Sequence, residues 1–546
     1  IGRNNDYIGD IMTPRTFSLA DLFAITAETV PERDALVIGD RRHSYGKMAQ
    51  RVERLAAWLH GQGIGPGDVV GLQMYNSAEY LEAFLAACRV RAIPANINYR
   101  YVADELRYLY DNAGLKALFY SAELEAAVAE ALDAAPGLRV KVRTGGGTPA
   151  LAGATPYDAT LRADPSVLCD VHCRDDDISL LYTGGTTGKP KGVMWPHKDL
   201  FFGSLGGGAS YVPAEGPIAT PEQLADRIRK GAPLRFMPVA PLMHGAAHWA
   251  TMVSLFAGHT VVLNDQHHFD AEHILDLIVR ERVNGLTIVG DAMALPLLDA
   301  LNAHPQRWDL STLFIFGNGG AVLSDHIKEG LKGYLPPNVY FSNGMGSSES
   351  GQLGLGSKPA DGGMIRIAAR PDLAVVVDGC RLAAPGEPGI LARSGYLPLG
   401  YYGDAEKTAQ TFVTLNGKRH VLTGDAAKLA DDGSIVIYGR GSNCINTGGE
   451  KVFPEEVEEV LRMSPDVFDA LVVGLPDPRW GQKVVAVVAP RPGLCLDPQR
   501  LRALCQQHMA NYKIPKDIVL VPEVKRSAAG KANYPWAREV AAGALQ

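Results

Sequence analysis

No run of about eighteen apolar residues occurs in the chain, so no segment reads as a membrane-spanning helix. Cysteine is sparse. The seven, at 88, 169, 173, 380, 444, 495 and 505, are odd in number and scattered, which argues against a disulfide framework and fits free thiols in a reducing cytoplasm. Cys169, His172 and Cys173 lack the second pair that a tetrahedral zinc site needs. Basic residues are outnumbered, 53 Lys and Arg against 60 Asp and Glu, and a net charge of −7 gives nucleic acid no electrostatic footprint. Repeats of fixed period and low-complexity tracts are missing too, and Ile1 to Thr13 carries charges and asparagines where a signal peptide would have an apolar core. What is present is a globular composition, 46% apolar and 21% charged, in 546 residues, too many for one core.

Helical and strand patterns alternate through the first part. Val52, Leu55, Ala56 and Leu59 share a helical face with Ser44 upstream as a cap, and Gly65-Pro66-Gly67-Asp68 turns the chain into the apolar run Val69–Leu72. Helix-then-strand units recur at 84–97, 106–119, 274–289 and 326–339, which implies α/β layers around largely parallel sheets. Residues 144–163 read as a surface connection, and 210–233 as a polar excursion with a short helix. The sharpest boundary falls at Gly439-Arg440-Gly441-Ser442, dividing the chain into domains 1–439 and 440–546. Beyond it, Pro454 opens a helix with an acidic first turn, whose face around Glu455–Glu459 reads as solvated. Strands at 470–474 and 483–489 and a helix near 501–508 follow, and the loop Arg526–Gly530 then presents Lys531 after small residues.

The most informative stretch runs from Leu181 to Gly192. It holds Gly184, Gly185, Gly188 and Gly192, the hydroxyls of Tyr182, Thr183, Thr186 and Thr187, and the cations Lys189 and Lys191. Glycines let peptide N–H groups approach an anion, hydroxyls add hydrogen bonds or hold a metal, and lysine neutralises charge, so the loop suits phosphates. It is not a Walker A loop, because Thr183 stands where the first glycine belongs and Pro190 follows Gly188-Lys189.

Further landmarks occur in a fixed order: Pro241-Leu242-Met243-His244-Gly245, Gly319-Gly320-Ala321, Asn343–Glu349, Thr423-Gly424-Asp425, Gly439-Arg440 and Gly530-Lys531. With the glycine-rich loop they resemble the adenylate-forming superfamily of acyl-CoA synthetases, peptide-synthetase adenylation domains and firefly-type luciferases, from about residue 40 to the C-terminus. The resemblance implies a large N-terminal domain of layered α/β subdomains with a small barrel-like subdomain, and a small mobile α+β C-terminal domain. It implies ATP, Mg²⁺ and coenzyme A as cofactors. Thr183, Gly185, Thr186, Thr187, Gly188 and Lys191 would line the phosphates. Gly320, Ala321, Asn343, Gly344, Met345, Gly346 and Ser348 would line the adenine. Asp425 and Arg440 would hold the ribose, Thr186 and Glu349 the metal, and Gly448 and Gly449 the pantetheine passage. Lys531, Glu349 and His244 would be catalytic, with His244 beside the acyl carboxylate. Joining a carboxylate to AMP replaces an oxide leaving group by a stabilised phosphate. Two anions must meet, so catalysis is chiefly charge neutralisation and positioning.

Departures from the pattern are Gly184 in place of a hydroxyl residue, Met345 in place of an aromatic, Ser348 for Thr and Ser442 at the hinge. The segments 289–294 and 444–451 look most like actinobacterial acyl-CoA synthetases. Small and apolar residues such as Gly290, Ala292, Ala294 and Gly320 would suit a medium-to-long fatty acid or a steroid side-chain acid, while Asp291 has no assigned role. With no carrier domain after residue 546, free CoA is the expected acceptor. A cytoplasmic enzyme is expected, with a homodimer as its assembly. Loading of a carrier protein, or nucleotide binding without catalysis, are the competing readings.

Overall fold

The computed structural model describes residues 14–183, 189–209, 215–321, 323–357, 365–440, 443–447, 450–477, 481–509, 511–526 and 531–545, with the backbone alone at 440, 446, 450 and 451. The chain divides into two compact units: 1–182 with 194–233 and 252–260, and 183–193 with 234–251 and 261–546.

The first unit is built on parallel strands. Val69–Gln73 pairs with Ile93–Asn96 on one side and Ala117–Ser121 on the other, and Val140–Thr144 and Ala154–Pro156 extend the sheet. Val69–Gln73 and Ala117–Ser121 are buried at every residue, as parallel strands covered on both faces must be. Helix Tyr45–Gly61 begins at Ser44, whose side chain accepts from the Lys47 amide, and buries Val52, Leu55, Ala56 and Leu59 as their spacing requires. The stretch at 144–163 is less of a surface connection than its composition suggests. It contributes the edge strand Ala154–Pro156 and buries Tyr157, whose hydroxyl donates to the buried Glu82 at 2.5 Å.

The second unit carries three sheets. In the first, parallel strands Arg235–Pro238, Gly285–Ile288, Ile315–Gly319 and Tyr340–Ser347 lie side by side, and Gly351–Leu355 closes the edge antiparallel. The second is an antiparallel sheet with seven strands among the described residues, lying where the barrel-like subdomain was expected. In its centre Lys418–Leu429 pairs with both Pro388–Ser394 and Ile435–Arg440.

In the third sheet Val467–Asp477 and Gly481–Pro490 form a long hairpin, with Asp517–Leu520 parallel to the second strand. Both faces are buried. Ala470, Val472, Val484 and Ala486 face helix Pro454–Arg462, and Leu471, Val473, Val485 and Val487 face helix Tyr534–Ala544. The acidic helix face is not uniformly solvated. Glu458 is only 3% exposed, accepts from the Val472 amide at 2.9 Å, and pairs with Arg462 one turn on at 3.1 Å. A buried cation at i+4 makes that carboxylate an interior group.

Candidate functional site

All the site residues expected from sequence belong to the second unit. Gly185, Thr186, Thr187 and Gly188 lie outside the described residues, as do Gly448 and Gly449. The loop's approach is well defined. Tyr182 ends the buried run of strand Ile178–Thr183, its amide donating to Asn96 Oδ1 at 2.6 Å and its carbonyl accepting from Asn96 Nδ2 at 3.0 Å. Asn96 thus holds the strand from which Thr183 leads into the loop. On the return side strand Lys191–Pro196 begins, and the Gly192 carbonyl accepts from the Tyr402 amide at 2.8 Å.

The neighbouring residue, Tyr401, joins two of the expected positions. Its hydroxyl donates to Glu349 Oε1 at 3.0 Å, and Lys191 Nζ sits 5.3 Å from its ring centroid. Burial, and then the Glu349 carboxylate, push the Tyr401 phenol well above its ordinary value, so it remains a donor. Glu349 stands in the turn between strands Tyr340–Ser347 and Gly351–Leu355. That turn is stapled twice: the Ser347 amide donates to Ser350 Oγ at 3.0 Å and the Ser350 amide to Ser347 Oγ at 3.1 Å. The buried Arg393 donates to the Ser350 carbonyl at 2.5 Å and is itself held by Asp372 at 3.2 Å.

A second hub gathers the glycine-rich strand ends. Asn318, buried near the end of strand Ile315–Gly319, accepts from the Gly290 amide at 2.8 Å and donates to the Ala321 carbonyl at 2.9 Å and to Asn343 Oδ1 at 3.3 Å. One side chain therefore ties the segments holding Gly290, Gly320-Ala321 and Asn343. Gly320, at φ +85°, adopts a backbone conformation closed to most side chains. Gly346 has a packing reason, since a Cβ there would collide with the Gly351 carbonyl. Gly344 has none among the described residues: a Cβ would make ordinary contact with the Asn318 carbonyl at 3.6 Å. Asp291 also gains a structural place. It opens helix Asp291–Ala303 and accepts from the Ser324 amide at 2.7 Å and hydroxyl at 2.5 Å, tying that helix to the start of helix Asp325–Lys332.

Asp425 and Arg440 lie directly opposite each other in the antiparallel register of strands Lys418–Leu429 and Ile435–Arg440, and Thr423 Oγ1 accepts from the Asp425 amide at 3.1 Å. Lys531 is exposed on the third sheet's side of the unit, next to a bridge between Arg526 and Ala532. A model of the AMP-binding enzyme family matches residues 23–402, and one of the AMP-binding enzyme C-terminal domain matches 456–531. The chain belongs to the AMP-binding enzyme family.

Relatives of this AMP-binding enzyme include the medium-chain acyl-CoA ligase Mig of Mycobacterium avium, 41% identical over 97% of this chain and 99% of that protein. The 3-oxocholest-4-en-26-oate–CoA ligase of Rhodococcus rhodochrous is 40% identical over 96% of this chain and 95% of its own. An anthranilate–CoA ligase solved with anthranoyl-AMP shares the fold, with a TM-score of 0.82 at 23% identity, covering 98% of this chain and 99% of that one. The enzyme falls in the acyl-CoA ligase branch, whose members use ATP, Mg²⁺ and CoA.

Within the AMP-binding enzyme, Met345 packs against a core cluster with Leu353 and Ile367, and its sulfur would meet a Cβ on Gly356 at 2.9 Å. Its thioether therefore fills space between sheets. Ser348 is half-buried beside Glu349. His244 is half-buried just before helix Gly245–Phe256, and its carbonyl accepts from the His248 amide at 3.0 Å. Burial pushes His248 down to about 4, so it is a neutral interior residue, whereas His267 and His268 are exposed. The contacts that Tyr401, Asn318 and Arg393 make with the expected segments, and that of Asn96 with Tyr182, were not legible in the sequence. The pair Tyr401-Tyr402 after Gly400 was the available cue, but nothing local links it to Glu349.

Proposed function

We propose that the enzyme activates an apolar carboxylic acid, a medium-to-long fatty acid or a steroid side-chain acid, as acyl-AMP with release of pyrophosphate, and then transfers the acyl group to CoA. The observation that carries this reading is the cluster of Lys191, Tyr401 and Glu349 at the end of the glycine-rich loop, in a chain about two-fifths identical to fatty-acid and sterol-acid ligases. Glu349 offers a hard carboxylate oxygen held in place by Tyr401, and Thr186 a hydroxyl of the same donor class, a set that suits Mg²⁺. The metal, when bound, supplies neutralisation of phosphate charge.

The residues then divide the work. Lys531 bridges the attacking carboxylate and the α-phosphate oxygens, offsetting charge as the acyl–phosphate bond forms and the bond to pyrophosphate breaks. Asp425 accepts from the ribose hydroxyls and Arg440 donates to the ribose. Gly320, Ala321, Asn343, Gly344, Gly346 and Ser348 border the adenine. Gly344 fits this role because the fold itself leaves room for a Cβ there, so its bareness serves an incoming group. In the second step the CoA thiol attacks the acyl carbonyl and AMP leaves, with Gly448 and Gly449 beside the pantetheine and His244 beside the acyl group. The boundary at 439–440 separates a domain that swings between the two steps. Seven free thiols support a cytoplasmic setting.

Pyrophosphate release across acids of graded length and shape, with CoA thioester measured in parallel, tests the proposal. Turnover of dodecanoate or a sterol side-chain acid to the thioester is expected. Turnover confined to acetate, benzoate or an amino acid overturns the substrate class. Adenylation without transfer to free CoA favours a carrier-loading enzyme, and no pyrophosphate with any acid favours nucleotide binding alone.

A further inference from the structure

The loop that presents Lys531 is tethered at both ends to one chain of buried charges in the third sheet. At its start Arg526 makes a bidentate pair with Asp469, Nε to Oδ2 at 2.6 Å and Nη2 to Oδ1 at 2.8 Å. Asp469 also accepts from Arg462 Nε at 3.3 Å and from the Ala470 amide at 2.8 Å. Arg462 donates onward to Glu458 at 3.1 Å and to the Ala470 carbonyl at 2.8 Å. Beyond the loop, Tyr534 is buried and hydrogen-bonds to the same Glu458. A backbone bridge between Arg526 and Ala532 closes the loop's neck, and Asn533 caps the helix that follows.

These charges are costly to bury. Glu458 and Arg462 are almost fully enclosed, and the side chains of Asp469 and Arg526 are 14% and 27% exposed. Packed apolar residues would often stabilise such a place as well or better, so a four-membered ionic chain needs a reason beyond stability. Its geometry supplies one. A planar guanidinium held by two parallel bonds fixes direction as well as distance, and Arg526 is five residues before Lys531. Burial alone would raise the Asp469 carboxyl, but the hydrogen bond from Arg526 and the charges of Arg462 and Arg526 outweigh it and hold it below its ordinary value.

We infer that Asp469 and Arg526 are positioning residues for adenylation: their pair, backed by Arg462 and Glu458, fixes the base of the loop so that Lys531 is delivered to the reacting phosphate in register. This role rests on the adenylation role proposed for Lys531. Positioning matters here because an error of about 1 Å in a catalytic group costs on the order of 100-fold.

The full-length R526Q and D469N proteins, with R526K and K531A beside them, provide the test, using dodecanoate and ATP for adenylation and supplied dodecanoyl-AMP with CoA for thioester formation. R526Q and D469N are expected to lower the adenylation kcat about 10- to 100-fold with KM for ATP within about twofold, while thioester formation stays within about twofold of the parent. R526K, which keeps the charge but loses the fork, should recover part of the loss. Thioester formation requires the same domain folded, so it separates misplacement from unfolding. Parent-like adenylation in R526Q overturns the proposal, as does equal loss of both half-reactions in R526Q. If K531A itself adenylates at the parent rate, the role of Lys531 fails instead.

Discussion

Removing the hydroxyl of Tyr401 takes one donor from Glu349 and leaves the ring under Lys191 in place. A hydrogen bond to a charged group is worth about 1.5–3 kcal/mol, so Tyr401→Phe should lower adenylation about 10- to 100-fold and raise the Mg²⁺ concentration for half-maximal rate. An unchanged Mg²⁺ dependence with only a lower Tm would give Tyr401 a purely structural role. His197 supplies a pH prediction of a different kind. It is fully buried, its Nε2 3.7 Å from Cys88 Sγ, and burial lowers it from 6.5 to about 3. Above pH 6.5 neither folded nor unfolded protein protonates it. Between 6.5 and about 3 only the unfolded chain takes the proton, so stability falls as pH falls, by on the order of a few kcal/mol at pH 4.5. His197→Gln, which does not titrate, should therefore show a smaller drop in stability than the parent from pH 7 to 4.5 in denaturant melts. Equal slopes would refute the assignment.

Helix Pro454–Arg462 shows at the level of an element what local sequence can and cannot carry. Its proline start, acidic first turn and apolar stripe are encoded within nine residues, and the helix forms there. The fate of Glu458 is not encoded there, because it depends on the Val472 amide fourteen residues away and on a sheet built from distant strands. The same holds for the site. Glu349, Asp425 and Lys531 are candidates from sequence alone because glycines and hydroxyls surround them in motifs of fixed spacing. Tyr401 and Asn318 carry no such cue, because the side-chain bonds of Tyr401 to Glu349 and of Asn318 to Gly290 and Asn343 join residues far apart in sequence, which leaves no periodicity behind. Truncating Glu458 leaves Arg462 buried with Asp469 as its remaining ion-pair partner among the described residues, at 3.3 Å. Glu458→Ala should cost about 2–4 kcal/mol, less than the full penalty of an unpaired buried charge. A loss under about 1 kcal/mol in urea melts would mean that the pair is solvated after all.

At the scale of the molecule, every residue assigned to nucleotide, metal or lysine chemistry lies in the second unit, while the first carries the parallel sheet around Val69–Gln73. Those assignments span positions 183 to 531 in sequence, so their confinement to one unit is a property of the fold and not of chain proximity. A ligand stabilises what it touches by mass action, about 2.7 kcal/mol when present at 100 times its Kd. Local opening in the second unit must then break ligand contacts, whereas local opening in the first need not. Adding ATP and Mg²⁺ without acid should therefore slow amide exchange most along Tyr340–Ser347, Gly351–Leu355 and the Asp425 to Arg440 strands. Strands Val69–Gln73 and Ala117–Ser121 should exchange nearly as before, except for amides that open only by global unfolding. Protection of the first unit equal to that of the second would show that nucleotide is gripped by both, and the assignment of the whole nucleotide site to the second unit would fall.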